Sequence, residues 1–153
     1  MGCQQYQASS PDHSRCLAVD NCASCGGSSI LKGNCTEVKG YRRWKVSGYG
    51  LVTGHDNIKR ELMNHKVLAC GIELTQSFRG YQGGVFSQIT IAPKVNHYVE
   101  LVGTGTENGQ NYWLGRAFFG TSWGNKGYFK IKMGSNVLGI ESKCYWIGPV
   151  VDK

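Results

Sequence analysis

The stretch Val95-Asn96-His97-Tyr98-Val99-Glu100-Leu101-Val102-Gly103 decides the fold. Its β-branched and aromatic residues, bounded by a glycine, predict a strand over 96–103. Working outward, further strands are expected over 111–118, 128–133 and 144–147 on one side and 67–74 on the other, parted by Gly- and Asn-bearing turns. Farther upstream a β-like run, Tyr41-Arg42-Arg43-Trp44-Lys45-Val46, leads through Gly48 and Gly50 to Asp56. Asp56 is a plausible N-cap for a helix over 57–65 that buries Ile58, Leu62 and Met63. One short helix and five or six strands predict an α+β, β-rich domain built on an antiparallel sheet or open barrel.

Composition agrees. With 153 residues, 41% of them hydrophobic, the chain can build one packed core. Its 22 Gly against 3 Pro, with 8 Tyr and 4 Trp, suit short strands and turns better than long helices. No apolar run approaches the roughly 18 residues of a membrane-spanning helix, so no membrane partner is expected. The net charge of +7 would suit a nucleic-acid binder, but the charges are scattered. The densest group, Lys39, Arg42, Arg43 and Lys45 with Tyr41 and Trp44 interleaved, reads as the solvated face of an edge strand, so no nucleic-acid partner is expected.

Five of the seven cysteines, Cys3, Cys16, Cys22, Cys25 and Cys35, crowd the first 35 positions, a disulfide or metal signature. Residues 1–35 are polar and without hydrophobic periodicity, so staples rather than a core are expected to hold them, as loop. This sets a Cys-rich segment, 1–40, apart from a β domain, 41–153. Zinc would draw on His13 and the cysteines around Cys22-Ala23-Ser24-Cys25, but a single C-x-x-C pair is weak, and disulfides with no metal or cofactor are the expectation. Asn34-Cys35-Thr36 is an N-glycosylation sequon on Asn34, in keeping with an oxidising compartment. Met1-Gly2-Cys3-Gln4-Gln5-Tyr6 has neither the basic start nor the apolar core of a secretory signal, and its start is expected to be missing.

From Val95 onward the chain resembles the papain-type cysteine peptidases, in the segment that carries their catalytic His. Asn111-Tyr112-Trp113-Leu114 and Trp123-Gly124-Asn125-Lys126-Gly127-Tyr128-Phe129-Lys130-Ile131 resemble the strand, loop and strand that follow it. Tyr81-Gln82-Gly83-Gly84-Val85-Phe86, Leu138-Gly139-Ile140-Glu141-Ser142-Lys143-Cys144 and the spaced early cysteines extend the likeness toward the cathepsin X (or Z) branch. The resemblance covers the C-terminal, His-bearing part of such a peptidase. It implies that the helical domain with the nucleophilic Cys and the oxyanion Gln has no counterpart here. Cys22-Ala23-Ser24-Cys25-Gly26 looks like the nucleophile signature, but His97 follows Cys25 by 72 positions where the family needs roughly 130–150.

The resemblance places His97 at the catalytic His. Ungapped alignment of Tyr112-Trp113 and Gly127-Tyr128 sets Ala117 where the orienting Asn belongs and Phe119 where a shielding Trp belongs, with Trp123 matching a second Trp. Lys66-Val67 departs from the family's Gly-Pro. The same resemblance pairs Cys3 with Cys22, Cys25 with Cys35 and Cys70 with Cys144, leaving Cys16 odd. The implied function is that of a truncated peptidase homologue, incompetent alone. Its expected binding surface includes Phe119 and Trp123, and its partner would be the missing helical domain or another protein, with peptides as substrates. The alternative is the His-bearing part of an active peptidase completed by an upstream segment or second chain. Family and cysteine usage imply a lysosomal or extracellular location.

Overall fold

The computed structural model describes residues 23–26, 34–40 and 44–152. The chain divides into two compact units at the Trp44–Lys45 bond. In the first, β1 (Ala23–Gly26) pairs antiparallel with β2 (Asn34–Glu37), setting Cys25 opposite Cys35. This corrects the expectation of loop throughout 1–35: a four-residue ribbon satisfies backbone groups through its ladder and needs no hydrophobic periodicity to announce it. Cys3, Cys16, Cys22, His13 and the basic residues Arg42 and Arg43 lie outside the described residues.

The second unit carries β4 (Tyr49–Val52), α1 (His55–His65), β5 (Leu68–Ile72), a single-turn α2 (Gln76–Arg79) and β6 (Val85–Phe86). Then follow β7 (His97–Glu107), β8 (Gln110–Arg116), β9 (Tyr128–Lys132) and β10 (Cys144–Ile147). Seven strands form one open sheet in the order β4-β10-β5-β7-β8-β9-β6. The ladders are antiparallel, as the expected open sheet requires, apart from the two-residue pairing of β6 with β9, which is parallel. A separate ribbon pairs β3 (Trp44–Val46) with β11 (Val150–Asp152). Among the described residues no helix is long and apolar enough to cross a membrane.

One side of the sheet holds the core, where Leu68, Cys70, Ile72, Val99, Leu101, Trp113, Phe129 and Ile131 are buried in one cluster with Ile58 and Leu62 of α1, Phe129 packing on Phe78 of α2. Cys70 and Cys144 stand in register on adjacent strands and are joined by a disulfide. Glycine is required where rings cross the sheet: a Cβ on Gly115 would run into the Phe129 ring, and one on Gly50 would lie 2.5 Å from Trp146 Nε1. Both glycines exchange β propensity for aromatic packing over the bare backbone.

Helix α1 corrects two expectations. Its N-cap is Gly54, not Asp56: Gly54 supplies a positive φ of 80° and donates its N–H to the Glu141 carbonyl at 2.9 Å, so the helix starts earlier. Asp56 lies in the first turn, where its charge favours the helix dipole. Met63 is 67% exposed rather than buried. At about 100° per residue it stands a quarter turn beyond the stripe that Ile58 and Leu62 share.

A buried carboxylate closes the loop between β9 and β10. Glu141, 8% exposed, accepts hydrogen bonds through Oε1 from Trp113 Nε1 (2.9 Å) and Gly134 N (2.6 Å), and through Oε2 from Asn136 N (2.9 Å). Asn136 returns the bond, its Oδ1 accepting from Glu141 N at 3.0 Å. Each carboxylate oxygen is thus engaged, the condition under which a charge tolerates burial.

Candidate functional site

His97 begins β7, opposite Ile72 at the end of β5. Its neighbour Asn96 pins the approach: Asn96 N donates to the Ile72 carbonyl (3.1 Å), and Asn96 Oδ1 accepts from Leu74 N (2.7 Å). The imidazole is half-buried and lies parallel to the Phe119 ring, with centroids 5.1 Å apart and planes within 8°. Phe119 meets Trp123 edge to face at 5.1 Å, and Trp123 packs in turn against Phe78, Tyr81 and Phe129. Trp123 Nε1 donates to the Arg79 carbonyl at 2.8 Å, tying the aromatic shelf to the end of α2.

His97 Nε2 is buried and has no hydrogen-bond partner, an exception among the buried side-chain polar atoms of the described residues. Burial disfavours the imidazolium, and the Arg79 guanidinium opposes it further, so the His97 pKa falls below its ordinary value of 6.5. Ala117 is buried, with its N–H bound to the Gly127 carbonyl at 3.0 Å, and a methyl side chain offers no acceptor. The structure therefore brings His97, Phe119 and Trp123 into one continuous ring contact. Arg79, which sequence reasoning missed, joins them through its carbonyl; no motif marked it, because it falls on a single-turn helix without periodicity.

No group of three or more His, Cys, Asp and Glu with metal-holding geometry occurs among the described residues. A depression of about 270 Å³ opens on the β9 side, lined by residues including Tyr81, Gly84, Tyr128 and Lys130; it does not include His97. Tyr81 shapes it by donating its hydroxyl to the Gly84 carbonyl (2.7 Å) while accepting from Lys130 N (3.1 Å).

Comparison with known proteins gives this geometry a family. A model of the papain family cysteine proteases matches residues 3–147. Cathepsin Z of Onchocerca volvulus is 34% identical over 157 aligned positions, taking in 97% of this chain and 48% of that protein. Cathepsin B-like cysteine proteinase 6 of Caenorhabditis elegans is 35% identical over 97 positions, 63% of this chain and 26% of that protein. Among solved structures, digestive procathepsin L2 proteinase from the larval midgut of Tenebrio molitor superposes with a TM-score of 0.65 at 32% identity, over 69% of this chain and 35% of that one. The chain spans about half the length of that cathepsin Z and less of the others. On sequence and fold together, the chain belongs to the papain family of cysteine proteases.

Proposed function

We propose that this chain is a cathepsin X/Z-like peptidase homologue that, by itself, binds peptides without hydrolysing them. The observation that carries the reading is the buried, unpartnered Nε2 of His97. In the family a triad Asn accepts the imidazole N–H that fixes the ring and its tautomer, and Ala117 stands at that position. An imidazolium formed during acyl transfer would leave its buried N–H without an acceptor, which raises the barrier at the step where the base must take a proton. Phe119 holds the ring by stacking, which fixes its plane without accepting a proton's hydrogen bond. The nucleophilic Cys and the oxyanion Gln have no counterpart among these residues at the spacing the family needs.

A lysosomal or extracellular setting is part of the proposal. The Cys70–Cys144 disulfide supports it, since such bonds persist in oxidising compartments. The register that sets Cys25 opposite Cys35 supports the expected bridge between them, and Asn34, at the start of β2, is the proposed glycan acceptor.

The test is to incubate the oxidised chain with fluorogenic peptides and with a thiol-directed epoxide probe, reading product and intact mass. No turnover and no histidine-dependent labelling are expected. Turnover that His97→Asn abolishes, with the probe bound to one cysteine, would overturn the reading. Activity appearing only when a helical, thiol-bearing segment of the same family is added would instead favour a peptidase assembled from two parts.

A further inference from the structure

Away from His97, two depressions of about 270 and 410 Å³ meet at Gly84, beside β6 at the edge of the sheet. The first is built on the sheet face that Tyr128 and Lys130 share, two residues apart on β9, with Leu114 of β8 directly opposite Lys130. Its wall is the buried Tyr81, whose hydroxyl donates to the Gly84 carbonyl and accepts from Lys130 N, so the turn over 82–84 is tied to β9 before any ligand arrives. The second depression runs on past Ser87 and Glu107. Lys130 lines the first and Glu107 the second, and Lys130 Nζ donates to Glu107 Oε1 at 2.6 Å, so this ion pair spans the boundary between them.

The lining selects the ligand. Lys130 is the one charged residue of the first depression, and Glu107 answers its charge, so an anion gains no net attraction there. Gln82 and Asn125 bring exposed amide side chains without a hydrogen-bond partner among the described residues. An amide donates and accepts, which suits hydroxyl groups that do the same, and the Lys130–Glu107 pair keeps spare N–H donors and a second carboxylate oxygen. Leu114 and the exposed Tyr128 add apolar surface among these polar groups, the complement of the C–H face of a sugar ring. Space for it stands open, since a Cβ on Gly83 would meet nothing within 4 Å. We propose that the two depressions bind a neutral oligosaccharide, one pyranose ring in each, with the Lys130–Glu107 pair hydrogen-bonded to hydroxyls at the junction. Volumes near the lower limit for drug-sized ligands match a single ring apiece. The proposal is independent of His97 and of whether the chain hydrolyses peptides.

The experiment titrates the full oxidised chain with methyl glucoside, methyl mannoside and methyl N-acetylglucosaminide, with a trisaccharide of each sugar, and with a sulfated heparin disaccharide as the anionic probe. Binding is read from backbone amide shifts by NMR. At least one neutral sugar should shift the amides of residues 82–84 and 125 saturably, with a Kd of about 1–10 mM for the single ring and about ten-fold lower for its trisaccharide, and should leave His97 unmoved. Gly83→Phe fills the open space at a position whose φ is not positive, and it should abolish binding. Asn125→Ala, a milder change in the same depression, should weaken binding about five-fold and guards against a Gly83→Phe chain that fails to fold. Ser87→Phe should keep the single-ring affinity and erase the gain with length. No saturable shift with any neutral sugar, shifts centred on His97, or tighter binding of the heparin disaccharide overturns the proposal. Undiminished binding in folded Gly83→Phe or in Asn125→Ala overturns it as well.

Discussion

Two ionisable side chains, Glu141 in the loop between β9 and β10 and His97 at the start of β7, present buried polar atoms that the fold treats in opposite ways. Glu141 engages both carboxylate oxygens, with Trp113 and two backbone N–H groups as donors. His97 leaves Nε2 buried with none. The first arrangement is how a fold tolerates a charge; the second is how a fold stores an unspent interaction. Chemistry in this chain is expected at the polar group that packing holds but does not satisfy, the His97 imidazole.

The largest effects are expected around Glu141. Replacing Cys70 and Cys144 together by Ala should cost about 4 kcal/mol in the loop-entropy model for a 74-residue separation, read from urea midpoints under oxidising conditions. A loss below about 1 kcal/mol would mean that the carboxylate network alone secures this loop. Next, Glu141→Gln turns an acceptor into an amide whose NH₂ faces N–H donors, and it should cost about 2–3 kcal/mol. Phe119→Ala should cost less, about 1–2 kcal/mol because the ring is only half-buried, and it should let water reach Nε2. The His97 pKa would then move up toward 6.5, measured by NMR.

Two smaller effects sharpen the contrast. Ala117→Asn should supply the missing acceptor, raise the His97 pKa and change stability by no more than about 1 kcal/mol. An unchanged titration would show that position 117 does not reach the imidazole. The pH dependence has a definite sign. Because the folded pKa of His97 lies below its unfolded value near 6.5, the unfolded chain binds more protons between the two. The His97 contribution to stability is therefore full above 6.5 and is lost as pH falls below it toward and through the folded pKa. His97→Phe should flatten that part of the stability profile.

Much of the sheet was legible because its inner strands obey simple rules. Residues 144–147 form a strand with the expected bounds, and those over 96–103, 111–118 and 128–133 are displaced only at their ends. β-branched and aromatic residues dominate there, and one face is buried. β4 was hidden by Gly50, a poor strand former that the Trp146 ring requires. β6 has only two residues, too few for a period. His97 and Ala117 stood out through family resemblance, whereas the place of Arg79 and the Trp113–Glu141 bond depend on contacts between residues 44 and 28 positions apart. No local pattern encodes such contacts.

The order β4-β10-β5 has a consequence for synthesis. A ribosome delivers β4 and β5 long before β10, yet β10 is the strand that separates them. Both nascent edges must wait with unpaired N–H and C=O groups, and β4 carries the exposed side chains of Tyr49 and Leu51. The sheet therefore closes by late insertion of a strand into a vacant slot, a slow, non-local step during which the growing chain is open to mispairing. With β10 in place Cys70 and Cys144 stand in register on adjacent strands, so their bond locks the inserted strand against β5.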